Sequence, residues 1–112
     1  MQVNSLDVVV VPFPFTDRLA AKRRPALIIS SADFNRVHQQ TILAMITSAG
    51  SDWPSDVEIR GWRQAGLSVP CKVRFKLFTL DHTLLIRKLG TLSEQDARTV
   101  KQALGRVLAS DG

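Results

Sequence analysis

With 112 residues, two histidines and a single cysteine, Cys71, the chain is expected to form one small domain spanning 1–112, without an intrachain disulfide or a zinc site of known spacing. Fifteen Lys and Arg against ten Asp and Glu give a formal charge of +5, which favours a polyanionic partner. The most apolar stretch, Val8 to Phe15, carries two prolines and falls well short of the roughly 20 residues that cross a bilayer. No secretory-type leader is visible before it, so a soluble protein of the reducing cytoplasm, with no membrane contact, is expected.

Asp7-Val8-Val9-Val10-Val11 reads as a first strand buried on both faces, ended by Pro12-Phe13-Pro14-Phe15 because alternating prolines supply no ladder donors. Thr16 to Arg23 shows no sustained period and reads as a cationic loop containing Arg18, Lys22 and Arg23. Pro25 biases Arg24 toward an extended backbone, so the loop feeds directly into a second strand, Pro25 to Ile29. A polar connection around Asn35 and Arg36 leads to a third apolar run, Thr41 to Ile46, bounded by Thr47 and Ser48.

Ser48 to Asp52 is turn chemistry. Asp56-Val57-Glu58-Ile59 alternates as a half-buried strand would, Gly61 to Gly66 breaks the pattern, and Lys72 to Leu77 alternates again with its cations on one face. A short strand is expected at Leu84-Leu85-Ile86. Ser93-Glu94-Gln95-Asp96 is a capping signature with carboxylates in the first turn. Beyond it Ala97, Val100, Leu104, Val107 and Leu108 recur on one helical face, fit to pack on the sheet or on a partner subunit. The fold class is therefore mainly β, of the α+β kind: a small antiparallel barrel with an appended carboxy-terminal helix.

If the second and third strands pair as antiparallel neighbours, Arg24 and Thr47 share one edge of the sheet. A guanidinium fork, a hydroxyl and the extra charge of Lys22 and Arg23 suit a phosphodiester; the competing readings are an Arg24 ion pair with Asp17 or another carboxylate and a Thr47 that caps the next turn. Lys72, Arg74 and Lys76 fit either backbone tracking by charge or pairing with Asp56 and Glu58. Trp53 and Trp62 fit either stacking on splayed bases or covers over a small core. His38 and His82 fall at the end opposite Arg24 and do not form a ribonuclease pair.

The chain resembles the MazF/PemK family of toxins through Pro12-Phe13-Pro14-Phe15-Thr16-Asp17, Arg23-Arg24-Pro25-Ala26-Leu27-Ile28, Ile46-Thr47-Ser48, Ala65-Gly66-Leu67, Lys76-Leu77-Phe78-Thr79-Leu80 and Arg87-Lys88-Leu89-Gly90-Thr91-Leu92-Ser93. The order and spacing of these fragments are specific where each alone is weak. The resemblance implies an SH3-like barrel, a homodimer, and metal-independent, cofactor-free, sequence-selective cleavage of single-stranded RNA leaving a 2′,3′-cyclic phosphate and a 5′-hydroxyl. The family's catalytic arginine and threonine fall on Arg24 and Thr47, with Arg18, Lys22, Arg23 and Ser48 placed to hold the RNA strand.

The resemblance also implies a cognate antitoxin. An acidic segment in that protein would suit a cationic groove, and DNA would be reached only through the antitoxin complex. Two departures stand out: Leu6 replaces a glycine many members carry before the first-strand aspartate, and the first loop lacks the Glu or Gln often found there. The second leaves the proton-transfer groups open. A CcdB-like gyrase-binding toxin and a passive nucleic-acid-binding barrel are the alternatives; against the first, Ser110-Asp111-Gly112 is not the Trp-Gly-Ile ending of CcdB.

Overall fold

A β-branched run fits a pleated, buried surface, and the chain's four consecutive valines lie at the centre of its first strand. The computed structural model describes residues 1–14 and 22–109. Its elements are β1 (Asp7–Phe13), β2 (Lys22–Ile28), α1 (Ala32–His38), β3 (Gln40–Thr47), β4 (Val57–Glu58), β5 (Lys72–Asp81), a 3-10 turn (His82–Leu84), β6 (Arg87–Thr91) and α2 (Glu94–Val107). Of the expected loop from Thr16 to Arg23, residues 16–21, with Arg18, lie outside the described residues, whereas Lys22 and Arg23 are not loop but open β2, laddered against Phe13 and Pro12.

The strands form one antiparallel sheet in the order β4-β5-β3-β2-β1-β6, curled into a half-barrel with the carboxy-terminal helix against it. A register shift between Ala44 and Met45 takes the β3 partners from Leu77 to Arg74, and a second shift lies between Val8 and Val9 in the β1–β6 ladder. Such bulges bend a strand and raise its twist.

Alternation along the strands supplies two apolar faces. On one, Val8, Leu27, Ala44, Ile46 and Val73 pack beneath Val100 and Ala103 of α2 and beneath Ile59, Ala65 and Leu67 of the segment after β4. On the other, Val9, Val11, Ala26, Ile28, Leu43 and Leu80 pack with Val3 and Leu85.

Four further expectations are corrected. β1 continues through Pro12 to Phe13, with Pro12 opposite Arg23. The β6 ladder ends at Val10, so a residue lacking a donor sits where β1 is an edge. The polar connection around Asn35 is a seven-residue helix: Ser31 Oγ accepts the Phe34 N–H at 3.1 Å, and Gln39 closes it at φ 52°. Its Asn35 is buried, with Ser30 Oγ donating to Oδ1. The last strand lies at Arg87–Thr91 rather than Leu84–Ile86, because Asp81 caps a 3-10 turn through the Thr83 N–H at 2.9 Å. Finally, β4 spans only Val57–Glu58, and Ile59 extends it by donating to the Cys71 carbonyl at 3.0 Å.

The α2 cap is as expected, with Ser93 Oγ accepting from the Asp96 N–H at 3.1 Å. Asp96 does more than complement the helix dipole. It is 2% exposed and accepts the Arg60 and Gly61 N–H groups at 3.1 and 2.8 Å, clamping the irregular segment onto the helix start. Val100 and Ala103 are buried, while Val107 and Leu108 remain exposed.

Candidate functional site

The β2–β3 ladder pairs Ala26 with Met45, Leu27 with Ala44 and Ile28 with Leu43. Continued by two residues, this register sets Arg24 opposite Thr47, just past the last hydrogen-bonded rung. Arg24 alternates with Ala26 and Ile28, and Thr47 with Leu43, all three apolar residues belonging to the same cluster. Both groups therefore belong to one face and one end of the sheet.

Their surroundings differ. The Arg24 side chain is exposed, with Cζ 5.2 Å from the centroid of the Phe13 ring, a contact that orients the guanidinium without consuming its N–H donors. Thr47 is 8% exposed, and its Oγ1 accepts the Ala49 N–H at 3.1 Å. The turn-capping reading of Thr47 is thus realised, yet an oxygen that accepts in this way keeps its own O–H to donate. Ser48 is exposed beside it, and Lys22 and Arg23 are exposed at the start of β2. Arg18 and the alternative partner Asp17 fall among the undescribed residues.

Two hollows adjoin this rim. One of about 170 Å3 includes Thr47, Ser48, Glu58, Cys71 and Lys72. The other, of about 360 Å3, includes Arg23, Arg24, Ser68 and Arg87. A larger hollow of about 580 Å3 lies at the far end of the sheet, around Asn35, Arg36 and His82.

The β5 cations are divided between their two readings. Arg74 is held by Asp56 through Nε–Oδ1 at 3.1 Å and Nη2–Oδ2 at 2.8 Å, and it donates to the Ser51 carbonyl at 2.8 Å. Lys72 pairs with Asp52 and donates to the Ser51 carbonyl at 2.7 Å. Glu58 stands opposite Lys72 in the ladder. Pairing with the Ser51–Asp56 segment therefore accounts for Lys72 and Arg74, and of the three β5 cations Lys76 alone is exposed without an ion pair to a described residue. The Arg74 guanidinium, aided by the nearby charge of Lys72, holds the Asp56 carboxyl below its usual range against the opposing effect of burial.

Trp62 packs half-buried against the main core with Arg63 Cζ 4.5 Å from its ring, which is the cover reading. Trp53 is 43% exposed with Arg74 Cζ at 4.9 Å. His82 Nε2 lies 2.6 Å from Thr41 Oγ1, and the His38 ring lies 4.5 Å from that of Phe34; neither is near the Arg24 end. Burial pushes the Cys71 thiol up, which makes it a poor nucleophile. Among the described residues no group of three or more His, Cys, Asp or Glu could hold a metal ion.

Two glycines that shape the rim have reasons no local pattern carries. A Cβ on Gly66, at φ 87°, would lie 2.3 Å from the Leu89 carbonyl oxygen, and one on Gly90 would lie 2.6 Å from that of Ala65. The close backbone contact sets residues 66–68 beside β6. The Ala65-Gly66 and Leu89-Gly90 fragments are the sequence signal, and only the fold joins them.

Residues 4–108 match the family model for the PemK-like, MazF-like toxin of type II toxin-antitoxin systems. The chain belongs to this family. A MazE–MazF complex from Deinococcus radiodurans is similar in fold, at TM-score 0.75 and 23% identity over 99% of both chains. MazF alone from that organism gives 0.73 and 24% over 96% of each. An endoribonuclease from a mycobacterial species gives 0.73 and 20%, over 100% of this chain and 96% of the other. No curated protein matches the chain. At these identities the MazF-like structures establish the shared architecture, and the antiparallel half-barrel with its terminal helix is that of the family.

Proposed function

We propose that the chain is a homodimeric endoribonuclease toxin that cleaves single-stranded RNA at selected sequences without a metal or cofactor, and is held inactive by a cognate antitoxin. The observation that carries this reading is the strand register that sets Arg24 opposite Thr47 at one end of a MazF-like sheet. It is supported by the mycobacterial endoribonuclease solved with its cognate antitoxin and by the MazE–MazF complex, both of which share the fold.

In the proposed reaction the RNA 2′-oxygen loses its proton and bonds to phosphorus, the bond from phosphorus to the 5′-oxygen breaks, and the departing oxygen takes up a proton. The products are a 2′,3′-cyclic phosphate and a 5′-hydroxyl. Negative charge grows on the non-bridging oxygens as the phosphorane forms. Arg24 offers parallel N–H donors to those oxygens, and Thr47 adds an O–H from across the strand gap. In a groove that excludes water, one such preorganised donor is worth roughly 10² to 10³ in rate. A guanidinium that keeps its proton does not act as the base. Arg18, Lys22, Arg23 and Ser48 hold the strand by charge and hydrogen bonding.

The test is incubation of purified protein with single-stranded RNA in excess EDTA. Cleavage by the wild type, with Arg24→Ala slower by about 10² or more, supports the reading. No cleavage by the wild type, or equal cleavage by both, overturns it.

A further inference from the structure

We propose that Arg87 is a phosphate-binding residue that, with Arg23, carries the RNA strand away from the Arg24–Thr47 rim along the groove between β2 and β6. This inference rests on the RNA-cleaving function proposed above and extends it to a residue outside that site.

The placement follows from the ladders. Val10 pairs with Pro25 on one side and Arg87 on the other, so Arg87 shares a sheet face with Val10 and Pro25, and Arg23 alternates onto that same face. Two strand spacings, about 10 Å, separate the β2 and β6 backbones. Val10, Pro25, Leu67 and Leu89 line the groove between them together with Arg23, Arg24 and Arg87, and no carboxylate lines it among the described residues.

Elsewhere the cations near carboxylates are spent in pairs. Arg36 pairs with Asp33, Lys72 with Asp52, Arg74 with Asp56, and Lys88, next to Arg87, with Asp7 at 3.2 Å. Arg23 and Arg87 are exposed and make no ion pair among the described residues. Two guanidiniums facing one groove repel each other, and a bridging or adjacent phosphate relieves this, whereas water only screens it.

The wall is built rather than incidental. The Gly66–Leu89 and Gly90–Ala65 backbone contacts fix residues 66–68 against β6, which sets the Ser68 hydroxyl at the same groove as a neutral donor. The apolar strip of Val10, Pro25, Leu67 and Leu89 gives sugar and base faces a surface to lie on. Arg24 borders the groove at its β2 end, although its side chain alternates onto the opposite face, toward Phe13. A strand whose scissile phosphate sits at Arg24 therefore passes over this end of β2 to bring its neighbouring phosphates to Arg23 and Arg87.

The experiment measures binding of a fully 2′-O-methylated RNA oligonucleotide, which cannot be cleaved, from low to high salt. Wild type, Arg87→Ala, Arg87→Lys and, as a control on the exposed face of α2, Arg98→Ala are compared. Each single-strand phosphate contact contributes about 0.7 to the slope of log K against log salt. Arg87→Ala should reduce the slope by about that amount and weaken low-salt binding severalfold, Arg87→Lys should restore the slope, and Arg98→Ala should match the wild type.

Arg87→Ala with wild-type slope and affinity, or Arg98→Ala with an equal loss, overturns the assignment. So does an Arg87→Ala that binds the RNA normally but loses binding of polyglutamate, since the groove would then serve an acidic polypeptide. Cleavage of unmodified RNA by the wild type, run in parallel, separates the two levels: cleavage with an unaffected Arg87→Ala sinks only this inference, and no cleavage sinks the nuclease reading as well.

Discussion

At the scale of single residues, Thr47 illustrates how one oxygen serves both a structural and a proposed chemical role. Its lone pair closes the turn to Ala49, and that bond aims the remaining O–H. Thr47→Val keeps the shape but removes donor and acceptor together. The cleavage rate should fall roughly tenfold, the size of one neutral hydrogen bond, with Thr47→Ser close to wild type; equal rates for all three would remove Thr47 from the reaction. Asp56 belongs to stability rather than to cleavage. Its carboxyl titrates below its unfolded value of 3.8, chiefly because of the Arg74 hydrogen bonds. The stabilisation is therefore complete above that value and is lost as pH falls through the lower folded one. Thermal unfolding between about pH 5 and pH 2 should show a shallower acid loss for Arg74→Ala than for the wild type. An identical loss would mean that the pair does not govern acid stability.

At the scale of elements, the long-range contacts decide what local patterns cannot. Gly90→Ala drives a methyl to 2.6 Å from the Ala65 carbonyl and should destabilise the fold by about 1–3 kcal/mol, read as a lowered denaturation midpoint; an unchanged midpoint would show that the 65–66 segment moves aside freely. Asp96→Ala should cost a similar amount, since it leaves the partly buried Arg60 and Gly61 N–H groups without their acceptor. The pairing of β2 with β3 was legible because two strongly apolar runs flank a short polar connection, and that pairing is what locates Arg24 and Thr47. The alternation around Val57, Val73 and Phe75 was legible for the same reason, each facing the main core. α1 was not: a helix of seven residues has too few turns to show a period, and its evident signal, Ser31 before Ala32, resembles ordinary loop chemistry. β6 was displaced because Leu84 and Leu85 read as strand, whereas they pack against the second cluster from a capped turn. The roles of Asp96, Gly66 and Gly90 depend on partners far along the chain.

At the scale of the whole molecule, the +5 charge is unevenly spent. Much of β5 is neutralised by the Ser51–Asp56 segment, while Lys22, Arg23, Arg24 and Arg87 remain exposed near the start of β2. An antitoxin that covers this end with an acidic segment should associate more slowly as salt rises, because charge steering is screened; a salt-independent association rate would assign its recognition to apolar contacts instead. The proposed joint action of Arg24 and Thr47 on one phosphate is tested most directly by a double-mutant cycle of RNA cleavage rates in EDTA. Groups acting on the same phosphorane should be coupled, so that the Arg24→Ala/Thr47→Val double variant loses less than the product of the two single losses. Strictly multiplicative losses, or a single variant cleaving at the wild-type rate, would contradict it.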